Sequence, residues 1–383
     1  SGIIPLSFCY QANTARISFA SELKGLYADP TIERSFDFDA FVNFNIMGFP
    51  LGNRTFFKNV RNINPGELVF IDSEGITTYS RKRPSIAIPK DGKIDYFVSV
   101  LESLIEEIAG ESAILLSGGV DSTTLAYLYK NKVSLTAWSL DENVDIVNSR
   151  RAAHFLGTPL QVLTLDENSL VQNLLEYLSA TEYFGIDIFG IYSIARRVSS
   201  SHNSLICGLD PDQFYGCYQK YYTEKIISPI LQAIQSLQFE NIAIADINIY
   251  QKLISDVRNR PEETLHGWTQ ERNRNDILWQ FDRAISYHGL RIITPFLNQR
   301  FIDVSYSLHP SFLYRYGEHK WIFKKAAEFL GIPQDLVYRK KSPGDRRLTL
   351  KPYKSLEQWC ERNVDKSRVQ NDPIGRFFYG NPQ

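Results

Sequence analysis

The sequence predicts an α/β protein: a parallel, doubly wound sheet with a mainly helical C-terminal part, preceded by a β-rich segment. Three observations carry this. The apolar run 113–116 is followed by Ser117-Gly118-Gly119 and then by a helix-like pattern over 121–129, the order strand, glycine turn, helix. Further apolar runs at 133–140, 160–165 and 204–208 alternate with helical periodicity, which is the pattern of parallel strands joined by crossover helices. Residues 1 to 80 instead hold short apolar runs broken by turn residues, the pattern of hairpins.

In chain order, 3–10 and 15–20 are short strands split by the turn Gln11-Ala12-Asn13-Thr14. Residues 37–47 form a helix, and 66–71 pairs with 75–79 through Asp72-Ser73-Glu74. Arg81, Lys82, Arg83, Pro84 and the run 88–92 break all periodicity and mark a linker. The domain limits expected are 1–84, a linker over 85–94, and 95–383. Phe97, Val100, Leu101, Leu104, Ile105 and Ile108 recur at helical spacing and predict a helix over 95–109. After 129 come a strand, a helix over 148–156 closed by Gly157, a third strand at 160–165 and a fourth at 204–208. From about 222 onward the pattern is mainly helical.

The balance of 43% hydrophobic and 22% charged residues is that of a globular chain, and its 383 residues make about two domains. A formal net charge of −1 gives no general attraction to nucleic acid or membrane surfaces. No apolar run approaches the ~20 residues of a membrane span, and Ser1-Gly2-Ile3-Ile4-Pro5 lacks the features of a signal peptide. Cys9, Cys207, Cys217 and Cys360 show no disulfide or metal spacing. The expectation is a cytoplasmic protein with reduced thiols. Its one Met is not at position 1, as in a processed or trimmed chain.

A glycine turn leading from a strand into a helix presents backbone N–H groups and the positive end of the helix dipole, which together suit a phosphate. The sequence Ser117-Gly118-Gly119-Val120-Asp121-Ser122 lacks the Walker spacing. It resembles the pyrophosphate loop of the N-type ATP pyrophosphatases, which cleave ATP to AMP and pyrophosphate. Other segments extend the likeness in order along the chain. Phe19-Ala20-Ser21-Glu22-Leu23-Lys24-Gly25-Leu26, Phe56 to Val60 and Asn64-Pro65-Gly66-Glu67 look like the end of an N-terminal glutaminase-type domain. Ala152 to Thr158 looks like the helix and turn before a third strand. Cys207-Gly208-Leu209-Asp210-Pro211-Asp212 resembles a degraded Ser-Gly-Glu-Gly-x-Asp motif. Asp282-Arg283, Pro295-Phe296-Leu297-Asn298, Lys320-Trp321-Ile322-Phe323-Lys324-Lys325 and Arg339-Lys340-Lys341 complete the set. Together they resemble the asparagine synthetase B superfamily.

That resemblance implies an ATP-dependent carbon–nitrogen ligase that forms an acyl-adenylate, releases pyrophosphate and then makes an amide. It implies ATP and Mg²⁺, with Asp121 and Asp212 as metal ligands. Ser117, Gly118, Gly119 and Ser122 would hydrogen-bond pyrophosphate, while Leu116, Ser139, Cys207 and Gly208 would meet adenine and ribose. Lys320 would lie near the phosphates, and Lys341, with Lys340 as its alternate in register, would stabilise the adenylate and the amide-forming transition state.

The departures narrow the expected substrate. Leu209 stands where asparagine synthetases carry Glu, and Arg291 where β-lactam synthetases carry the Glu that partners a Tyr at the 209 position. Position 1 is Ser and not the N-terminal Cys nucleophile of the Ntn-type glutaminases, and residues 1–84 are expected to be an inactive remnant of such a domain. The amine then comes from the acceptor itself, as in the lasso peptide cyclases, which keep the ATP loop and lose the acid. A peptide or small carboxylic acid is the expected substrate, with a leader-binding or protease protein as a possible partner. Two other readings stand beside macrolactam synthesis: amidation of a small acid, and an inactive nucleotide-binding scaffold.

Overall fold

The computed structural model describes residues 4–339, apart from 12, 15, 73–74, 81–93, 106–110, 131–133, 141–145, 165–169, 187, 215–227, 229, 237–243 and 260–270, together with Gln358 and Arg362. At the N-terminal end β1 (Ser7–Gln11) and β2 (Arg16–Ala20) form the hairpin the sequence predicts, closed by Thr14 N–H on the Gln11 carbonyl at 3.1 Å. A third strand, β3 (Val60–Asn62), pairs with the other edge of β1, giving the antiparallel order β2-β1-β3. Between them, after the single turn α1 (Leu23–Leu26), lies α2 (Phe38–Met47). Asp37 caps α2 by accepting from Ala40 N–H at 3.0 Å, and Gly48 ends it with φ +84°. The hairpin of β4 (Glu67–Asp72) and β5 (Gly75–Ser80) follows in antiparallel register.

The second part begins with α3 (Ile94–Ser103), shorter than the expected helix over 95–109. After Ser103 the chain tightens into three-residue turns, Leu104 N–H to Leu101 O at 3.2 Å and Ile105 N–H to Glu102 O at 3.3 Å. This keeps Leu104 in the core at 3% exposure. The linker assigned to 85–94 falls outside the described residues except for Ile94, the first residue of α3. Then come β6 (Glu111–Leu115), α4 (Val120–Tyr129), β7 (Ser134–Leu140), α5 (Ile146–Leu156) and β8 (Leu160–Leu163). Two helices, α6 (Leu170–Thr181) and α7 (Phe189–Val198), precede β9 (Ser204–Ile206) and the turn α8 (Pro211–Phe214). The last strand of the large sheet, β10 (Arg291–Ile293), is too short for its periodicity to show in the sequence.

The five strands β6–β10 are all parallel, in the order β10-β9-β6-β7-β8. Both faces are buried, as parallel sheets require. Ile114 and Leu116 lie in one core with Phe97 and Phe323, while Ala113 lies in the other with Tyr177 and Phe189. The same alternation runs through β7 (Ala137, Trp138), β9 (Ile206, Leu205) and β10 (Ile293, Ile292). From β6 the chain moves outward through β7 to β8, then crosses back to lay β9 on the other side of β6. The reversal leaves a crevice between β6 and β9 at their carboxyl ends, where such sheets bind ligands.

The N-terminal segment packs directly on this second part. Cys9, Leu26, Phe41 and Phe56 share a core with Tyr183 and Trp279, and Ile46 and Phe49 share another with Ile230, Tyr250 and Ile254. Burying each such Phe is worth about 1.5–3 kcal/mol.

Candidate active site

The carboxyl end of β6 carries the glycine loop. Gly118 has φ +67°, and a Cβ there would lie 2.4 Å from the carbonyl carbon and 2.6 Å from the oxygen of Asn148 in α5. Glycine is therefore required both by conformation and by contact with backbone that cannot swing away. Ser122, 7% exposed, ties the loop together. Its Oγ donates to Gly119 O at 3.2 Å, accepts from Ser117 N–H at 3.2 Å and lies 3.1 Å from Ser117 Oγ. Ser117 Oγ also accepts from Gly119 N–H at 3.3 Å. The two hydroxyls thus shape the loop, a role the sequence reading did not give them.

The second loop leaves β9. Cys207 N–H extends the ladder to Ile293 O at 2.9 Å, and full burial holds the Cys207 thiol well above its ordinary range. A Cβ on Gly208 would sit 3.3 Å from Ser122 Cα and N, so the two loops touch. Leu209 is partly buried against the core of α6 and α7. Asp212 then opens α8.

Lys320 joins both loops. The strands Tyr314–Arg315 and Glu318–His319 pair through Tyr316 (φ +54°) and Gly317 (φ +83°), a two-residue turn of the kind that suits strand twist. Lys320 follows with φ +57°, immediately ahead of the helix Trp321–Phe329. A non-glycine residue held there costs about 1–3 kcal/mol. Its ammonium, on a residue 5% exposed, hydrogen-bonds Asp121 Oδ2 and lies 2.6 Å from Asp212 Oδ1. One buried cation thus bridges two carboxylates, one on α4 and one on α8.

Leu116, Ser117, Gly118, Gly119, Asp121, Ser122, Cys207, Gly208, Asp212 and Lys320 therefore come together at the crevice. Ser139 lies next door on β7, whose Trp138 carbonyl accepts from Leu116 N–H at 2.9 Å. Lys340 and Lys341 lie outside the described residues. Arg291 opens β10, paired with Ser204 at the amino end of the sheet. That is one strand, about 10 Å, from the crevice.

The sequence reading missed three residues. Arg339 donates from Nε to Gly118 O at 2.8 Å and from Nη2 to Ser117 O at 3.4 Å. Its signal was its place in the Arg339-Lys340-Lys341 run. Asp210, 6% exposed, takes φ +86°, and its Oδ2 accepts from Asn273 Nδ2 at 2.7 Å. Burial pushes the Asp210 carboxyl up to about 7; the Asn273 hydrogen bond opposes this and the charge of Asp212 adds to it. Nothing in the sequence pointed to Asn273.

Comparison with known proteins agrees with this geometry. The asparagine synthase family model matches residues 109–379, and a glutamine amidotransferase domain model matches 1–82. Glutamine-hydrolysing asparagine synthetase of Rattus norvegicus is 22% identical over 289 residues, 70% of this chain and 46% of that protein. The Homo sapiens enzyme is 24% identical over the same shares. Glutamine-hydrolysing asparagine synthetase 3 of Bacillus subtilis is 21% identical over 92% of this chain and 65% of its own length. The chain thus spans about half the length of the mammalian relatives. A likeness to the crystal structure of a predicted subunit of tRNA methyltransferase from Methanocaldococcus jannaschii, at 21% identity, 27% of this chain, 54% of that one and TM-score 0.21, is too slight to bear on the fold. With the glycine loop, the second loop and Lys320 all inside a match that covers well over half of its 383 residues, the chain belongs to the asparagine synthase family.

Proposed function

We propose that this chain is an AMP-forming carbon–nitrogen ligase: it adenylates a carboxylate with ATP, releases pyrophosphate and passes the acyl group to an amine. The observation that carries this is the meeting of Asp121 and Asp212 on Lys320 beside the glycine loop. The donor set fits Mg²⁺. Two hard carboxylates already share one cation, and Mg²⁺ commonly takes one or two carboxylates and completes its shell with phosphate and water. When bound, Mg²⁺ would be held by Asp121 and Asp212 and would offset charge on the phosphate oxygens.

The chain's own groups do the rest. The loop from Ser117 to Ser122 keeps a fixed shape that suits pyrophosphate, since its hydroxyls and Arg339 occupy internal partners. Lys320 supplies positive charge where pyrophosphate develops negative charge, and the fixed array avoids reorganisation during the reaction. Backbone atoms of the Cys207–Gly208 turn, Leu116 and Ser139 are assigned to adenine and ribose. Lys341 follows Arg339 closely and is assigned to the amide-forming half.

For the acceptor, we favour a peptide whose side-chain carboxylate is joined to its own amine, the macrolactam chemistry of lasso peptide cyclases. Leu209 supports this reading, because it offers no charge for the α-amino group of free aspartate. Such a role goes with a cytoplasmic site of action and a leader-binding partner. No helix among the described residues is long and apolar enough to cross a membrane.

The test is ATP-dependent pyrophosphate release with a carboxylate-bearing precursor peptide. Asp121→Ala should abolish it while leaving the far-ultraviolet dichroism unchanged; normal release by that variant would sink the metal assignment. Release with a free small acid and ammonia, but not with peptide, would transfer the acceptor reading to a small-acid amidotransferase. Lys341→Ala should slow amide formation more than pyrophosphate release.

A further inference from the structure

Behind Asp212 the second loop holds a carboxylate that the reaction above does not use. Asp210 is 6% exposed and sits at φ +86°. One oxygen, Oδ2, is held by Asn273 Nδ2 at 2.7 Å. The other, Oδ1, is buried with no hydrogen-bond partner, and the same holds for Asn273 Oδ1. Asn273 is 8% exposed and begins the π-helix Asn273–Leu278, a distortion that recurs at functional sites.

Unpartnered buried acceptors are costly, and native chains keep few of them. Here two lie on side chains that are already hydrogen-bonded to each other, and the left-handed backbone adds strain. Packing alone would be better served by Gly at 210 and an apolar residue at 273. What both oxygens lack is a donor. An ammonium group carries several N–H donors and a positive charge that complements the carboxylate. A divalent cation fits poorly, since one carboxylate and one amide oxygen fall far short of its usual ligand number.

We infer that Asp210 and Asn273 form a subsite that receives the amine of the acceptor, two residues along the loop from Asp212. The subsite deepens the amide-forming reading, on which the amine's role rests. Binding of the amine itself requires neither ATP nor a carboxylate.

Thermal unfolding of the whole chain tests this in methylammonium chloride, tetramethylammonium chloride and sodium chloride at equal ionic strength. Tetramethylammonium carries the charge without N–H donors. Methylammonium alone should raise the Tm, and saturably, as a ligand of the native state does. Asp210→Gly relieves the left-handed residue but leaves Asn273 Nδ2 without its acceptor, so its titration is read against its own Tm. It should need about tenfold more methylammonium, or more, for the same rise. Asp210→Asn, which keeps the shape and removes the charge, should lose the response similarly. Equal effects of the three salts on the wild type overturn the subsite. So does an unchanged methylammonium response in Asp210→Gly. Pyrophosphate release is measured on the same preparation: its absence beside a persisting methylammonium response defeats the ligase reading and leaves the subsite standing.

Discussion

Replacing Arg283 by Met tests what holds the N-terminal segment to the sheet domain. Arg283 has no exposed surface, and its Nε lies 3.1 Å from Glu182 Oε2. Its Nη2 donates to the Ser21 carbonyl at 2.7 Å, and the guanidinium stacks 3.6 Å from the centre of the Trp279 ring. Glu182 in turn accepts from Leu23 N–H at 2.7 Å and Lys24 N–H at 2.5 Å, so one carboxylate caps α1 and pairs with the arginine. Met fills much of the same volume but leaves Glu182 charged and largely buried. Breaking a buried pair from one side costs about 3–5 kcal/mol. At ~2.1 cal/mol/K per residue, the 383 residues give about 0.8 kcal/mol/K, so the Tm should fall by about 4–6 °C. Calorimetry reads this directly. The double variant Glu182→Leu/Arg283→Met should recover part of the loss, because no charge is then stranded, though Leu23 and Lys24 N–H lose their acceptor. A fall below about 1 °C in Arg283→Met, or a double variant worse than the sum of the singles, would refute the argument.

Three further outcomes follow from the same contacts. Gly118→Ala places a methyl 2.4 Å from the Asn148 carbonyl carbon at φ +67°. It should cost at least about 2 kcal/mol in denaturant unfolding and abolish pyrophosphate release; a stable, active variant would show that α5 can move away. Burial pushes the Asp282 carboxyl up to about 6 against the opposing pull of Arg283. A carboxyl raised on folding keeps its proton in the native chain while the unfolded chain has lost it, so stability from this group falls as pH rises from 3.8 to about 6. Asp282→Asn should flatten the decline of Tm over that window, and an unaltered slope would exclude Asp282 as its source. Arg339→Ala removes both hydrogen bonds to the glycine-loop carbonyls and should raise the KM for ATP about tenfold. Arg339→Lys should not rescue it, because an ammonium cannot reproduce the guanidinium fork; full rescue would reduce Arg339 to a point charge.

Much of the fold was legible because local chemistry marks it. The run 113–116, the glycines after it and the helix from Val120 each obey a local rule, as do the Asp37 cap and Gly48 stop of α2. β10 was not legible, because three residues carry no period. The boundaries of α6 and α7 and the early end of α3 also went unmarked. In the site, Ser117 to Asp121, Asp212 and Lys320 were found from their motifs. Ser122 as a loop brace was not, because its bonds to Gly119 and Ser117 form only once the glycine loop has its particular backbone angles; Arg339 on the loop carbonyls and the Asp210–Asn273 pair were not, since each depends on a partner distant in sequence.

By itself the sequence determined the strand-turn-helix order around Ser117 and the supply of two aspartates and a lysine suited to phosphate chemistry; that position 118 admits only glycine was settled by its φ angle and by the Asn148 backbone beside it. Only the tertiary structure decided that these groups meet. The crossover from β8 back to β9 brings Asp212 beside Asp121, and the hairpin before Lys320 delivers its ammonium to Asp212 and to Asp121, the latter 199 residues back in sequence. The physical reason is that local propensity sets which way a chain turns, whereas close approach of like charges requires a buried counter-charge. That counter-charge exists only once the sheet order and the helix after Lys320 are both in place.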